Sequence, residues 1–158
     1  MSFVILAGHP RPQSRTRQIA QLAADAVIRA AGLPPGHQVV DLFGLQRRLL
    51  LVASPTYKGT YTGLLKVFLD RLDYQALSGV TALPTLVMRL PQHTLAVDVH
   101  LRPLLTELGA AVPAPGLAFL ESDLDRAAEV LDPWAARVAA ALGRAAALIP
   151  PPDPALSR

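Results

Sequence analysis

Short apolar runs alternate along the chain with longer segments in which apolar residues recur at helical spacing. The runs predicted as β-strands are Phe3–Ala7, Gln38–Asp41, Leu49–Ser54, Leu83–Met88 and Val112–Phe119. The segments predicted as helices are Thr16–Ala31, Gly63–Leu72, Leu95–Leu108 and Asp125–Leu148. Pro103 lies inside the third of these helices, where it should cause a bend or a break.

Strands that alternate with helices and are apolar on both faces indicate a parallel sheet covered on both sides. Five strands in this order predict an α/β, flavodoxin-like three-layer sandwich with strand order 2-1-3-4-5. In that arrangement a ligand binds beyond the carboxyl ends of the first and third strands. We expect one domain over residues 1–149, followed by an extended Pro-rich tail over residues 150–158.

The composition excludes several classes of protein and of site. The 158 residues include no cysteine, which excludes disulfides, thiolate metal sites and thiol catalysis and favours the cytoplasm. No basic run with interleaved aromatics is present, so nucleic acid is not an expected partner. We see neither a signal peptide nor an apolar run long enough to span a bilayer. The net charge of +3 instead suits a polyanionic small molecule.

The loop after the first strand runs from Gly8 to Thr16 and carries residues suited to an anion. The first turn of the following helix leaves backbone N–H groups unpaired, and the loop adds hydroxyls and guanidinium groups. These residues are Arg11, Ser14, Arg15, Thr16 and Arg17. Because no G-x-G-x-x-G is present, a terminal phosphate fits better than a dinucleotide pyrophosphate. An ordinary Ser N-cap beside solvated arginines would explain the same residues.

The loop after the third predicted strand, from Ser54 to Gly63, contains two tyrosines and two glycines. A flat heteroaromatic ring could lie against its backbone and accept or donate hydrogen bonds there. Tyr57 and Tyr61 could equally be packing residues.

Three segments together resemble the NADPH-dependent FMN reductase family, in particular the branch that supplies reduced FMN to alkanesulfonate monooxygenases. They are Ala7–Thr16, Ala53–Asp70 and His93–Leu104. The resemblance implies an NAD(P)H:FMN oxidoreductase that uses FMN with NADPH or NADH and passes reduced flavin to a partner oxygenase. It also implies a homodimer or homotetramer, for which Leu101, Leu104, Leu105 and Leu108 could supply the contact. Hydride transfer between the two rings requires no catalytic side chain.

The resemblance also implies which residues bind FMN. The phosphate would be held by His9, Arg11, Ser14, Arg15 and Thr16, and the ribityl chain and isoalloxazine by Pro55, Thr56, Tyr57 and Lys58. The chain departs from the family in three places: His9 replaces a serine, Met88–Pro91 replaces a Thr-Gly-Gly stretch, and Val99 stands nearest to a tyrosine inserted in that branch. His9 could simply be an exposed turn residue.

Other functions remain open on the same scaffold. A reductase that retains its FMN could act on quinones, azo dyes or metal oxyanions, whereas a flavodoxin-type carrier would lack NAD(P)H activity. A flavin-free binding protein is a further alternative if the third loop is degenerate. We expect no metal site, because His93 and His100 have no evident third ligand.

The connection between the second and third predicted strands is too short for a normal crossover. Only residues 43–48 are available, which reach about 20 Å when fully extended, and a parallel crossover usually contains a helix. One hypothesis is that the sequence as read omits residues within Leu45–Leu49 and, for the third loop, within Met88–His93. The alternative is a genuine deletion that leaves one sheet face to be covered by a partner subunit.

Overall fold

The computed structural model describes residues 2–7, 14–33 and 48–147. The strands in these ranges are β1 (Ser2–Ala7), β2 (Arg48–Pro55), β3 (Val80–Met88) and β4 (Leu117–Leu120). The α-helices are α1 (Arg15–Ala30), α2 (Gly63–Leu69), α3 (Arg102–Glu107) and α4 (Ala127–Ala147). Two 3₁₀ turns, Pro91–His93 and Glu121–Arg126, and a π-helical turn, Val97–Leu101, complete the elements.

The four described strands form one parallel sheet in the order β1-β2-β3-β4. The register aligns Ala7 with Ala53, Ala53 with Thr85, and Thr85 with Leu117. This order agrees with the predicted arrangement for those four strands. The predicted strand Gln38–Asp41 lies outside the described residues, so the fifth strand and its place in the order stay predictions.

Helices cover both faces of the sheet because the central strands are apolar on both. On β2, Leu49 and Leu51 pack toward α1 and α4, whereas Leu50 and Val52 pack toward α2 and α3. The first core also contains the buried Trp134 of α4, and the second contains residues of the π-helical turn. The result is a three-layer α/β sandwich, as the alternation predicted.

The third predicted helix is confirmed with a distortion close to its proline. A π-helical turn over Val97–Leu101 leads into α3, in whose first turn Pro103 lies. Proline lacks an N–H, and its ring would clash with the carbonyl four residues earlier in a regular α-helix, so the backbone widens just before it. Leu101, Leu105 and Leu108 are buried in the core, and Leu104 is half-buried and packs against it. The expectation that they form a contact between subunits is therefore wrong.

The last predicted strand is shorter than the apolar pattern suggested. Ala111 makes a single bridge to Thr81, and β4 begins only at Leu117, because Pro113 and Pro115 cannot donate to a ladder. Arg102 secures the intervening segment by donating to the carbonyls of Val112 and Ala114 at 2.8 and 2.7 Å. The indole of Trp134 donates to the carbonyl of Pro115 at 2.9 Å.

The boundaries of two other helices differ from the predicted ones for local reasons. The helix expected to reach Leu72 ends at Leu69. Beyond it, the N–H groups of Arg71 and Leu72 donate to carbonyls three residues earlier, as in a 3₁₀ turn, instead of four residues earlier. The last helix begins with the 3₁₀ turn Glu121–Arg126 before it becomes α-helical.

The chain runs without interruption from Met88 to His93. Two exposed residues, Arg89 and Leu90, lead into the 3₁₀ turn, and the N–H of His93 donates to the carbonyl of Leu90 at 3.3 Å. The hypothesis of omitted residues at this point stays a hypothesis. The other segment in which residues could be omitted, Leu45–Leu49, consists largely of residues 45–47, which lie outside the described residues. The Pro-rich tail also lies outside them.

Candidate functional site

All four described strands end at the same edge of the sheet because they are parallel. The segments that follow them there are the start of α1, the loop over residues 56–62, the third loop over residues 89–93, and the turn that begins at Glu121. In open α/β sheets, ligands bind at this edge, in the crevice beyond the carboxyl ends of the strands. His9 and Arg11, two of the predicted site residues, lie outside the described residues.

The start of α1 is capped by a hydroxyl and carries two positive charges. Ser14 has an extended backbone, and its Oγ accepts a hydrogen bond from the N–H of Arg17 at 3.2 Å. The first turn contains no acidic residue, yet Arg15 and Arg17 lie there at the positive end of the helix dipole. Cations favour the opposite end of a helix, so this turn is suited to a bound anion. Thr16 is almost completely buried, at 2% exposed.

Arg15 has a partner that the sequence reasoning missed. Its Nη1 lies 3.2 Å from Oε2 of Glu121, which directly follows β4. The side chain of Arg15 is 64% exposed and that of Glu121 is 27% exposed. The available signal was the position of Glu121 two residues after the last predicted strand, which places a carboxylate at the same sheet edge as the start of α1.

The next acidic residue in this turn faces elsewhere. Asp123 accepts hydrogen bonds from Nη2 and Nε of Arg126 at 2.9 and 3.2 Å. These bonds stabilise the guanidinium and raise the pKa of Arg126. Of these two carboxylates, Glu121 is thus the one directed at α1.

A tight turn forms the tip of the second loop. Tyr57 and Thr60 exchange backbone hydrogen bonds of 2.8 and 3.1 Å, and Lys58 and Gly59 between them have φ angles of +51° and +81°. Positive φ at both central residues is the signature of a type I′ turn. Glycine adopts this conformation freely, whereas Lys58 is a non-glycine residue in a sparsely populated region, of the kind that clusters at functional sites.

The base of the same loop is held by buried hydroxyls. The N–H of Thr62 donates to Oγ of Ser54 at 3.0 Å, and the Ser54 hydroxyl donates to the carbonyl of Pro55 at 2.9 Å. Thr62 also caps α2 by accepting from the N–H of Leu65 at 3.2 Å. Thr56 binds the neighbouring strand, with its N–H 2.8 Å from the carbonyl of Val87. The loop is therefore closed at its base and presents a defined tip.

The predicted second-loop residues differ in what they offer a ligand. Pro55 is buried, and the hydroxyl of Thr56 already donates to the carbonyl of Val87 at 3.3 Å. Tyr57 is 59% exposed, and Lys58 is also exposed. Tyr61 packs against the core beneath α2, so the packing interpretation holds for this tyrosine but not for Tyr57. A flat ring would therefore meet the side chain of Tyr57 and the backbone of the turn.

Lys66, which the family resemblance included, is directed along α2. Its ammonium pairs with Asp70 one turn later, and that hydrogen bond raises the pKa of Lys66. Lys58 is therefore the lysine that the loop itself offers.

The third loop contributes apolar surface at this edge. Leu90 is 49% exposed, and Leu95, which follows the 3₁₀ turn, is 74% exposed. Pro91 has no N–H to offer a ligand. Among the described residues, no cluster of three or more histidine or carboxylate side chains could hold a metal ion.

Comparison with known proteins identifies the family. The model of a family described as NADPH-dependent FMN reductase matches residues 45–125. The chain is 36% identical over 145 residues to the NADH-dependent FMN reductase SfnF of Pseudomonas fluorescens, a match that spans 90% of this chain and 78% of that protein. The chain belongs to the NADPH-dependent FMN reductase family. The resemblance noted in the sequence is thereby confirmed.

Further members and structures agree with this assignment to the FMN reductase family. An FMN reductase (NADPH) of Pseudomonas aeruginosa is 40% identical over 100 residues, or 63% of this chain. The matched part spans about half, 54%, of that relative's length. The apo structure of an NADH:FMN oxidoreductase (EmoB) superposes with a TM-score of 0.71 at 27% identity and 99% coverage of both chains.

The fold itself is flavodoxin-like. An archaeal flavodoxin superposes with a TM-score of 0.66 over 90% of this chain and 99% of its own, at 16% identity. Within the described part of the chain, no helix combines the length and apolar character that crossing a membrane would require.

Proposed function

We propose that this chain is an NAD(P)H-dependent FMN reductase that transfers hydride from NAD(P)H to FMN. The proposal rests on one observation. Two features that suit the two ends of FMN lie at the same edge of the sheet. The cationic start of α1 follows β1, and the exposed Tyr57 turn follows β2, the strand paired with β1. The relatives support this function, since both Pseudomonas proteins described above are named FMN reductases.

The described residues fit the two ends of FMN. A terminal phosphate matches the charge of Arg15 and the hydroxyl and amide donors around Ser14 and Thr16. The sequence adds His9 and Arg11 to this set. An isoalloxazine ring matches the exposed aromatic side chain of Tyr57 and the neighbouring Lys58, while Pro55 and Thr56 support the turn from below.

The chemistry requires binding and orientation from the protein. Bound FMN supplies the ring that accepts hydride, so no side chain need act as a general acid or base. The hydrogen bonds between Tyr57 and Thr60, and those of Ser54 with Thr62, hold the turn in one conformation. A preorganised turn reduces the entropy lost when a ring binds against it.

We also propose a preference for NADPH over NADH. The arginines at the start of α1, Arg15 and Arg17, provide positive charge for the additional phosphate of NADPH as well as for FMN. A partner oxygenase that receives reduced FMN, a cytoplasmic location and a homodimer or homotetramer complete the proposal. Exposed apolar residues on α2 (Leu64, Val67 and Phe68) offer a surface for such an assembly.

One assay tests the reductase function. The rate of NADPH oxidation is measured with and without added free FMN, and the absorbance of the purified protein is recorded. We expect oxidation that depends on added FMN and is faster with NADPH than with NADH. FMN binding without NAD(P)H oxidation would contradict the proposal and favour a flavodoxin-type carrier. Oxidation by a yellow protein without added FMN would indicate a reductase that retains its flavin.

A further inference from the structure

Glu121 lies at the same sheet edge as the cationic start of α1 and contacts it. It is separated from Arg15 by 106 positions in the chain, yet its Oε2 lies 3.2 Å from Nη1 of Arg15. Glu121 reaches this place because β4 ends at Leu120, one residue earlier, at the same edge as the start of α1. A carboxylate therefore already occupies one face of the guanidinium that the phosphate of FMN would use.

The local charges make this contact more than an incidental surface pair. The first turn of α1 has no acidic residue of its own, so Glu121 supplies negative charge at a helix terminus that favours it. Asp123 cannot take this role because Arg126 holds it through two nitrogens. A bound phosphate would satisfy the same positive charge and would lie close to the Glu121 carboxylate.

We propose that Glu121 sets the affinity of the site for phosphate-bearing flavin by competing with the phosphate for Arg15. This inference rests on the proposed FMN reductase function. Glu121 weakens phosphate binding without preventing it, because its contact with Arg15 uses one nitrogen and both side chains retain solvent exposure. An internal competitor weakens FMN binding, which suits a reductase that must release its flavin product.

The substitution Glu121→Gln separates this role from flavin binding in general. The amide keeps the shape of the side chain but removes the negative charge that repels phosphate and pairs with Arg15. We expect FMN to bind about two- to fivefold more tightly at low salt, the range that corresponds to an exposed ion pair of up to about 1 kcal/mol. Riboflavin, which has the same ring without the phosphate, should bind with unchanged affinity. Added salt should reduce the gain for FMN.

Two further variants provide controls. Glu107→Gln makes the same change of charge on an exposed residue at the end of α3, near the bridge of Ala111 to the start of β3 and thus at the opposite sheet edge. It should leave FMN affinity unchanged. In an Arg15→Gln background, Glu121→Gln should have a smaller effect on FMN affinity, since the contested guanidinium is gone. Thermal unfolding of each variant establishes that the fold is retained.

The titrations distinguish failure of the inference from failure of the function. If the unmodified chain binds FMN and Glu121→Gln binds it equally or more weakly, the inference is wrong while the reductase function stands. An equal gain for riboflavin would also overturn it, because the effect would not involve phosphate. If the unmodified chain binds neither FMN nor riboflavin, the proposed function itself fails.

Discussion

The type I′ turn at Tyr57–Thr60 allows a test of both the fold and the flavin site through Gly59→Ala. Gly59 has a φ of +81°, and a Cβ built on it would meet no atom within 4 Å. The substitution therefore introduces backbone strain without a steric clash. A non-glycine residue in this region costs about 1–2 kcal/mol, and alanine recovers about 0.4–1 kcal/mol by restricting the unfolded chain. We expect a net loss of about 1 kcal/mol in the free energy of unfolding.

Gly63→Ala is the matched control for this prediction. Gly63 is the first residue of α2, its φ is not positive, and its Cβ would also meet nothing within 4 Å. The effect on the unfolded chain is the same, so the difference between the two variants isolates the strain, about 1–2 kcal/mol. Urea unfolding of both variants measures this difference. Equal stability would refute the positive φ at Gly59 and with it the type I′ turn.

The same pair of variants tests whether the turn contacts flavin. A strained turn would displace Tyr57 and Lys58, so Gly59→Ala should raise KM for FMN severalfold, whereas Gly63→Ala should leave it near its original value. If Gly59→Ala loses stability but keeps its KM for FMN, the turn exists but does not form the flavin site.

Three other predictions concern polar side chains. Replacing Ser14 and Thr16 together by Ala should weaken FMN binding by about 1–3 kcal/mol in a fluorescence titration, and unchanged affinity would exclude the start of α1 as the phosphate site. Thr85→Val should raise the free energy of unfolding by about 1 kcal/mol, because the buried Thr85 hydroxyl has no hydrogen-bond partner. Thr81, on the same strand, is only half-buried, so the control variant Thr81→Val should gain less stability. Arg102→Ala should lower the melting temperature and reduce the free energy of unfolding by about 2–3 kcal/mol, because two backbone carbonyls lose their donor. The control Arg137→Ala, on the exposed face of α4, should have little effect. Equal melting temperatures for the two variants would contradict this role of Arg102.

Local patterns in the sequence were enough to predict the layered architecture and the order of most elements. Apolar runs such as Leu49–Ser54 and the helical spacing around Ile19 and Val27 are local patterns, and each was sufficient to predict an element that the structure contains. The residues of the second loop were also sufficient to indicate the family, since loop and strand end are adjacent in the chain. Even the helix distortion near Pro103 was predictable, because proline lacks an N–H wherever it stands.

The contacts between distant groups became visible only in three dimensions. The pairing of Arg15 with Glu121, the attachment of the 112–116 segment by Arg102, and the burial of Leu101 and Leu105 all join parts of the chain through the sheet. The positive φ of Lys58 likewise depends on how the loop is closed at its base by Ser54 and Thr62. Periodicity reports which face of an element is apolar, but it contains no information on which distant segment covers that face or supplies a counter-charge. That choice is made by packing, which is why most helices and strands could be predicted and the contacts of the site could not.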